Sequence, residues 1–204
     1  MMGLTPRDKK CYDFIIETGL PFTIRQLSLI FYNQSHNEKS SYTICSRRIS
    51  MMVKGEYLNK MSGTKFGSET LIYANKKPSK QVRHQLCVSE FLTQLATNGF
   101  EIISCKCEKE FKEFGIRSDA FVEMVYNKTH YYVILEVNLN TEFNSKYDEF
   151  VKAIVDGKYR FNHQVIFVNV SDHAFNQDEY QYVKPVCLKT DFRDFSKFQY
   201  LFIR

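Results

Sequence analysis

The hydrophobic and polar positions of the chain change their period near Gly99, from a helical repeat to a strand repeat. Before that point, apolar residues recur every three or four positions in segments that open with N-terminal caps. Thr5-Pro6-Arg7-Asp8 begins the first helix, and Thr23 with Gln26 forms a capping box for the second. After Gly99 the apolar residues form short runs, which predict strands. The pattern indicates two modules of mixed α and β structure.

A third helical segment of the first module has Cys45, Ile49 and Met52 on one face. Small polar and basic residues cover its other sides: Tyr42, Thr43, Ser46, Arg47, Arg48, Ser50 and Lys54. Two strand-like runs follow, 56–61 and 70–73, with Lys65 in the turn between them. Helices followed by a Lys-tipped hairpin are the order of a winged helix-turn-helix. In such a module we expect the third helix to enter the DNA major groove and Lys65 to contact the backbone.

The second module is predicted as strands that surround one amphipathic helix. A linker at 76–80 and a helix at 80–97 come first. Strand patterns follow at 100–105, 119–126, 130–137 and 163–170. A charged loop is predicted at 106–113 and a helix at 144–154. A hairpin followed by a crossover helix and another strand gives a mixed sheet with helices on its faces. We therefore expect domains at 1–78 and 79–204, with the aromatic tail packed as a last strand and helix.

Charge differs between the two halves. Residues 1–84 carry 14 Lys and Arg against 6 Asp and Glu, whereas residues 85–204 carry 14 against 17. A basic half favours a polyanionic partner such as double-stranded DNA, although a solvated lysine-rich surface gives the same numbers. The six cysteines are too sparse for a disulfide scaffold and fit buried thiols. The chain has no apolar run long enough to span a membrane and no secretory signal at its N-terminus, so we expect a cytoplasmic protein.

Two acidic residues carry the candidate chemistry. Asp119 opens one predicted strand, and Glu136 interrupts the apolar run Val-Ile-Leu-Glu-Val of the next. Burying a carboxylate in such a run is costly unless a metal, a cation or a hydrogen bond compensates it. Carboxylates at neighbouring strand ends can hold Mg²⁺, which activates water at a phosphoryl group. In a purely structural alternative, Asp119 is a turn or strand-start residue, and Glu136 pairs with Arg117 or with a helix residue.

The segments Arg-Ser-Asp-Ala at 117–120 and Leu-Glu-Val-Asn at 135–138 resemble the PD-(D/E)xK nuclease-like superfamily. With the basic first module, the chain resembles the replication–relaxation family of plasmids and mobile elements. The resemblance implies DNA binding at an origin, Mg²⁺ held by Asp119 and Glu136, and replication or relaxosome proteins as partners. It also implies a lysine where this chain has Asn138, so that Lys146, one helical turn into the next helix, is the candidate for the displaced charge.

The leading hypothesis is a DNA-binding protein in replication initiation or mobilisation, with a degenerate nuclease-like domain. One alternative is an active Mg²⁺-dependent endonuclease that uses Asp119 and Glu136. Another is a protein-interaction module in which the first module forms a homodimer. His130, His163 and His173 share no ligand spacing and are expected to be ordinary surface or core residues.

Overall fold

The protein is described here by a computed structural model, which divides the chain into two compact units, Met1–Thr97 and Asn98–Arg204. The residues that the structure describes are 3–33, 37–62, 69–75, 77–78, 81–140, 143 and 145–203. Within them the fold is mixed α and β, as the periodicity predicts. The helix expected to open the second domain lies in the first unit, so the division falls at residue 97 rather than at residue 78.

The first unit consists mainly of helices beside a small antiparallel sheet. Its elements are α1 (Pro6–Thr18), β1 (Phe22–Thr23), α2 (Ile24–Leu27), a π-helical turn (Ser28–Tyr32), α3 (Glu38–Lys54), β2 (Asn59–Ser62), β3 (Thr70–Tyr73) and α4 (Val82–Thr97). The strand order in the sheet is β1-β3-β2. Both predicted capping boxes are present, and α1 ends at Gly19, whose φ of 64° is the left-handed conformation that favours glycine.

Helix α4 joins the first unit through polar contacts as well as apolar ones. The Ser89 hydroxyl donates to the Pro21 carbonyl at 2.6 Å, and Gln26 donates to Glu90 at 2.9 Å. Its apolar face of Val88, Phe91, Leu92 and Leu95 is buried. A basic linker precedes α4, but the contacts of α4 are with the first unit, so the linker does not mark the boundary between the units.

A buried ionic network connects α1 to α3. The Asp8 carboxylate is 1 % exposed and accepts hydrogen bonds from Thr5, Tyr32 and Arg48. Although burial opposes its charge, these donors, Arg48 first among them, hold the pKa of Asp8 well below its usual range. Arg48 was expected to face DNA, but its guanidinium is bound to Asp8 and serves the packing of this unit.

The second unit is built on one mixed sheet. Its elements are β4 (Glu101–Phe111), a 3₁₀ turn (Lys112–Phe114), β5 (Ile116–Tyr126), β6 (Thr129–Val137), α5 (Lys146–Val155), β7 (Gln164–Val170), a 3₁₀ turn (Gln177–Glu179), β8 (Val186–Leu188) and α6 (Ser196–Gln199). The order β4-β5-β6-β7-β8 is antiparallel as far as β6 and parallel from β6 to β8. An aromatic core that includes Phe111, Ile134, Tyr147 and Phe150 lies between the sheet and α5.

The segment 106–113, expected to be a charged loop, continues β4 as far as Phe111. Its charged residues occupy an edge strand, where they can face solvent while Cys107 pairs with Ala120 of β5. In the gap between the strand patterns predicted at 119–126 and 130–137, the turn from β5 to β6 lies at Asn127 and Lys128, both with positive φ, as two-residue hairpins require. Among the described helices, none has both the length and the apolar composition needed to cross a membrane.

Replacing Asp8 by Ala is expected to destabilise the first unit by roughly 2–4 kcal/mol, because Arg48 then loses its carboxylate in a largely buried setting. Tyr32→Phe removes only one hydrogen bond to Asp8 and should cost about 1 kcal/mol. Urea unfolding of both variants, followed by circular dichroism, measures the difference. Equal losses for the two variants would show that the ion pair is not the main contribution.

Candidate functional site

The two acids singled out in the sequence come together on neighbouring strands. Ala120 of β5 pairs with Leu135 of β6, so the next residues along each strand, Asp119 and Glu136, lie side by side. The Asp119 carboxylate accepts the backbone N–H of Val137 at 2.7 Å. This bond fixes one acid against the strand that carries the other. The pair lies where the antiparallel hairpin meets the parallel strands, at the carboxyl end of β6, an edge at which α/β proteins commonly bind ligands.

Glu136 is held in an environment that disfavours its charge. Burial raises the pKa of Glu136 to about 8, and the neighbouring charge of Asp119 acts in the same direction. The Tyr147 hydroxyl of α5 donates a hydrogen bond to the Glu136 carboxylate, and the charge of Arg117 also lowers its pKa, but neither offsets the burial. Without a further cation, this environment favours the protonated form of Glu136.

Asn138 occupies the position at which the superfamily pattern has a lysine. Its side chain is 7 % exposed and donates from Nδ2 to the Oδ1 atom of Asn169 at 2.8 Å. Its backbone N–H donates to Val170 at 2.8 Å, which continues the β6–β7 ladder by one residue. Asn169 is itself the β7 partner of Glu136. A buried neutral amide pair thus stands where an ammonium group was expected.

Lys146 is the cation expected to replace that missing charge, and Arg117 is a second cation near the acid pair. The Lys146 Nζ atom lies 3.3 Å from the position that a Cβ atom on Gly115 would occupy. Gly115 lies four residues before Asp119 and directly precedes β5, so Lys146 reaches the segment that leads into the strand of Asp119. Arg117 is two residues before Asp119 on β5 and shares its face of the sheet. Its charge acts on Glu136, which makes Arg117 the better candidate.

The acid pair suits a hard divalent cation. Two carboxylates held side by side supply oxygen ligands, and a bound cation would relieve the repulsion that raises the pKa of Glu136. Asp119 and Glu136 are the residues that would hold Mg²⁺, which when bound polarises a phosphoryl oxygen and activates water. A small cleft opens beside Asn169 on the same edge of the sheet. Its lining includes Phe143, Asn169, Ser171, His173, Phe175 and Tyr180.

Helix α3 presents a second candidate surface. Its predicted inner residues are buried, while Thr43, Arg47, Ser50 and Lys54 are all exposed. These four residues follow a line roughly 16 Å long, at the helical rise of 1.5 Å per residue. Tyr42 is exposed beside them and Ser46 is half-buried, whereas Arg48 is bound to Asp8. Lys65, expected at the tip of the hairpin, lies outside the described residues.

Several site residues were not anticipated from the sequence. The sequence does not single out Tyr147 or Asn169, yet they contact Glu136 and Asn138 respectively. His130 and His163 were expected to be unrelated, but they lie together with Glu123. The sequence does offer one signal for Asn169: like the acid Glu136 in β6, it is a polar residue inside an apolar strand.

Comparison of the chain with family models, with curated proteins and with solved structures finds no match. Function is therefore inferred from the residues of the acid pair and of α3.

The protein is expected to lose stability as the pH rises between about 4.5 and 8, because folded Glu136 keeps a proton over a range in which the unfolded chain releases it. Glu136→Gln retains the acceptor for Tyr147 and cannot ionise, so it should be more stable than wild type at pH 8 by roughly 1–3 kcal/mol. The difference should shrink toward pH 5. The stabilities are measured by thermal unfolding of chelator-treated protein at each pH. Glu149→Gln, which changes an exposed acid on α5, is the control. A gain that does not depend on pH would contradict this account.

Proposed function

We propose that this protein binds double-stranded DNA through the exposed face of α3 and acts in replication initiation or mobilisation of a plasmid or other mobile element. The observation that carries the proposal is the exposed polar and basic line on α3, opposite its buried Cys45, Ile49 and Met52. We interpret the first unit as a winged helix-turn-helix, with the β2–β3 hairpin as its wing.

The shape and chemistry of α3 support this interpretation. A helix of 17 residues is long enough to lie in a major groove, and its outer face offers hydroxyls that can bond phosphates or base edges. Arg47 and Lys54 supply the charge that phosphate contacts need. Arg48 is excluded from this surface because it neutralises Asp8, so we assign the DNA contacts to Tyr42, Thr43, Ser46, Arg47, Ser50 and Lys54.

We interpret the second unit as a nuclease-like framework of the PD-(D/E)xK type. The order of β4, β5, β6, α5 and β7, together with the convergence of Asp119 and Glu136, supports that interpretation. The amide pair of Asn138 and Asn169 removes the cation that would assist attack on a phosphate. The framework is therefore assigned to contacts with DNA or with replication and relaxosome partners, rather than to cleavage.

Binding to a random duplex is expected to weaken steeply between about 50 and 200 mM salt, because each phosphate contact releases counterions. The variant Arg47→Ala/Lys54→Ala should bind more weakly and show a salt dependence shallower by about two in its logarithmic slope. Fluorescence anisotropy with labelled duplex measures both quantities.

The matched control for this experiment is Lys9→Ala/Lys10→Ala, which removes two exposed cations from α1 and changes the net charge equally. It should retain the wild-type slope. If both double variants behave alike, the contact is not made by α3. If the protein's role in replication or mobilisation survives both double variants, the first unit is instead a protein-interaction or dimerisation module.

The convergence of Asp119 and Glu136 favours one further function, Mg²⁺-dependent cleavage of DNA, as the second candidate. On this proposal, wild type and Glu136→Ala should nick supercoiled plasmid equally little in Mg²⁺ or Mn²⁺, because the buried amide of Asn138 stands at the position that the nuclease pattern fills with a lysine. Agarose gels over a time course provide the measurement. Nicking by wild type that disappears in Glu136→Ala, with Glu149→Gln unaffected, would establish an active endonuclease instead.

A further inference from the structure

A second group of ionisable residues lies on the same face of the sheet as the acid pair, at the opposite end of β6. Glu123, His130 and His163 each offer a ligand atom, and these atoms lie within 4.8 Å of one another. The Nδ1 atom of His130 is 3.3 Å from the Oε1 atom of Glu123. The two imidazole rings have their centroids 4.9 Å apart.

The register of three neighbouring strands produces this group. Val125 of β5 pairs with His130 of β6, which places Glu123 one same-face position along β5. Tyr131 pairs with Gln164 of β7, so His163, the residue before β7, lies beside His130. The ring of Tyr132 packs against His163 with centroids 5.1 Å apart. The ligand atoms are therefore positioned by regular backbone pairing rather than by a long loop.

These distances agree with those found around a bound transition metal. Tetrahedral Zn²⁺ binds imidazole nitrogen and carboxylate oxygen at about 2.0–2.2 Å, which separates neighbouring ligand atoms by about 3.3 Å. Two imidazoles on one such ion have ring centroids roughly 5 Å apart for the same bond length. Both values are close to those measured between Glu123, His130 and His163.

We infer that Glu123, His130 and His163 form a binding site for Zn²⁺ or a similar borderline transition-metal ion. Two histidines and one carboxylate leave a fourth position for water or for a donor atom from a ligand. Half-buried and exposed side chains make this position accessible to solvent. Neither the DNA-binding proposal nor the Mg²⁺ candidate depends on this site.

The two ends of β6 differ in the metal that they select. Six residues separate Glu136 from His130, which is roughly 20 Å of extended strand. Imidazole ligands favour Zn²⁺, Co²⁺, Ni²⁺ and Cu²⁺, whereas the all-oxygen pair of Asp119 and Glu136 favours Mg²⁺ or Mn²⁺. The alternative is a surface ion pair between His130 and Glu123 that binds no metal.

The test is a Zn²⁺ titration of the full chain, with calorimetry and metal analysis after dialysis. Wild type should hold one Zn²⁺ per chain, and its melting temperature should rise in Zn²⁺ because the metal binds only the folded state. His163→Ala and Glu123→Gln should each weaken binding at least about tenfold and abolish the thermal shift. His173→Ala, an exposed histidine outside the group, should behave as wild type.

Two further measurements separate this site from others in the same chain. Co²⁺ bound by wild type should give visible d–d bands without thiolate charge transfer, because the proposed ligands include no cysteine. Glu136→Ala should bind Zn²⁺ normally, since its carboxylate belongs to the other end of β6. Equal Zn²⁺ affinity and stoichiometry in wild type and a folded His163→Ala, no binding by wild type, or a thiolate band would each overturn the inference.

Discussion

The register of β6 between its two neighbours is the constraint on which the second unit depends. Antiparallel pairing with β5 and parallel pairing with β7 align Asp119, Glu136 and Asn169 across three strands. The same pairing aligns Glu123, His130 and His163 farther along the same face. Because successive side chains alternate between faces, a shift of one residue in β6 would separate the members of both groups.

Each unit holds an acid in an apolar setting, Asp8 buried and Glu136 half-buried, and compensates it differently. Asp8 has a guanidinium and hydroxyl donors, which hold its pKa low and make it a permanent negative charge within the core. Glu136 has a second acid beside it, and its pKa is raised to about 8. The first arrangement stabilises packing without further help. The second is costly when ionised, and either protonation or a ligand that brings positive charge reduces that cost.

Local signals were sufficient for most elements, and long-range pairing limited the rest. Caps at Thr5 and Thr23 and the turn at Asn127 could be read from adjacent residues. Asp119 and Glu136 stood out because an acid in an apolar strand is costly. The Asn138–Asn169 bond, the role of Tyr147 and the proximity of His130 to His163 depend on how α5 and β7 dock on β6, which no local pattern specifies. The charges at 106–110 suggested a loop. They instead lie on β4, an edge strand, and edge strands tolerate charged residues.

The turn at Asn127 and Lys128 has a consequence for the order in which these groups assemble. Closing a two-residue hairpin orders little chain, so β5 and β6 can pair early, whereas β7 must wait for α5 and the connections on either side of it. Asp119 with Glu136, and Glu123 with His130, are therefore neighbours in the hairpin alone. Asn169 and His163 join only when β7 docks, so each group is completed by the slower, non-local step of folding.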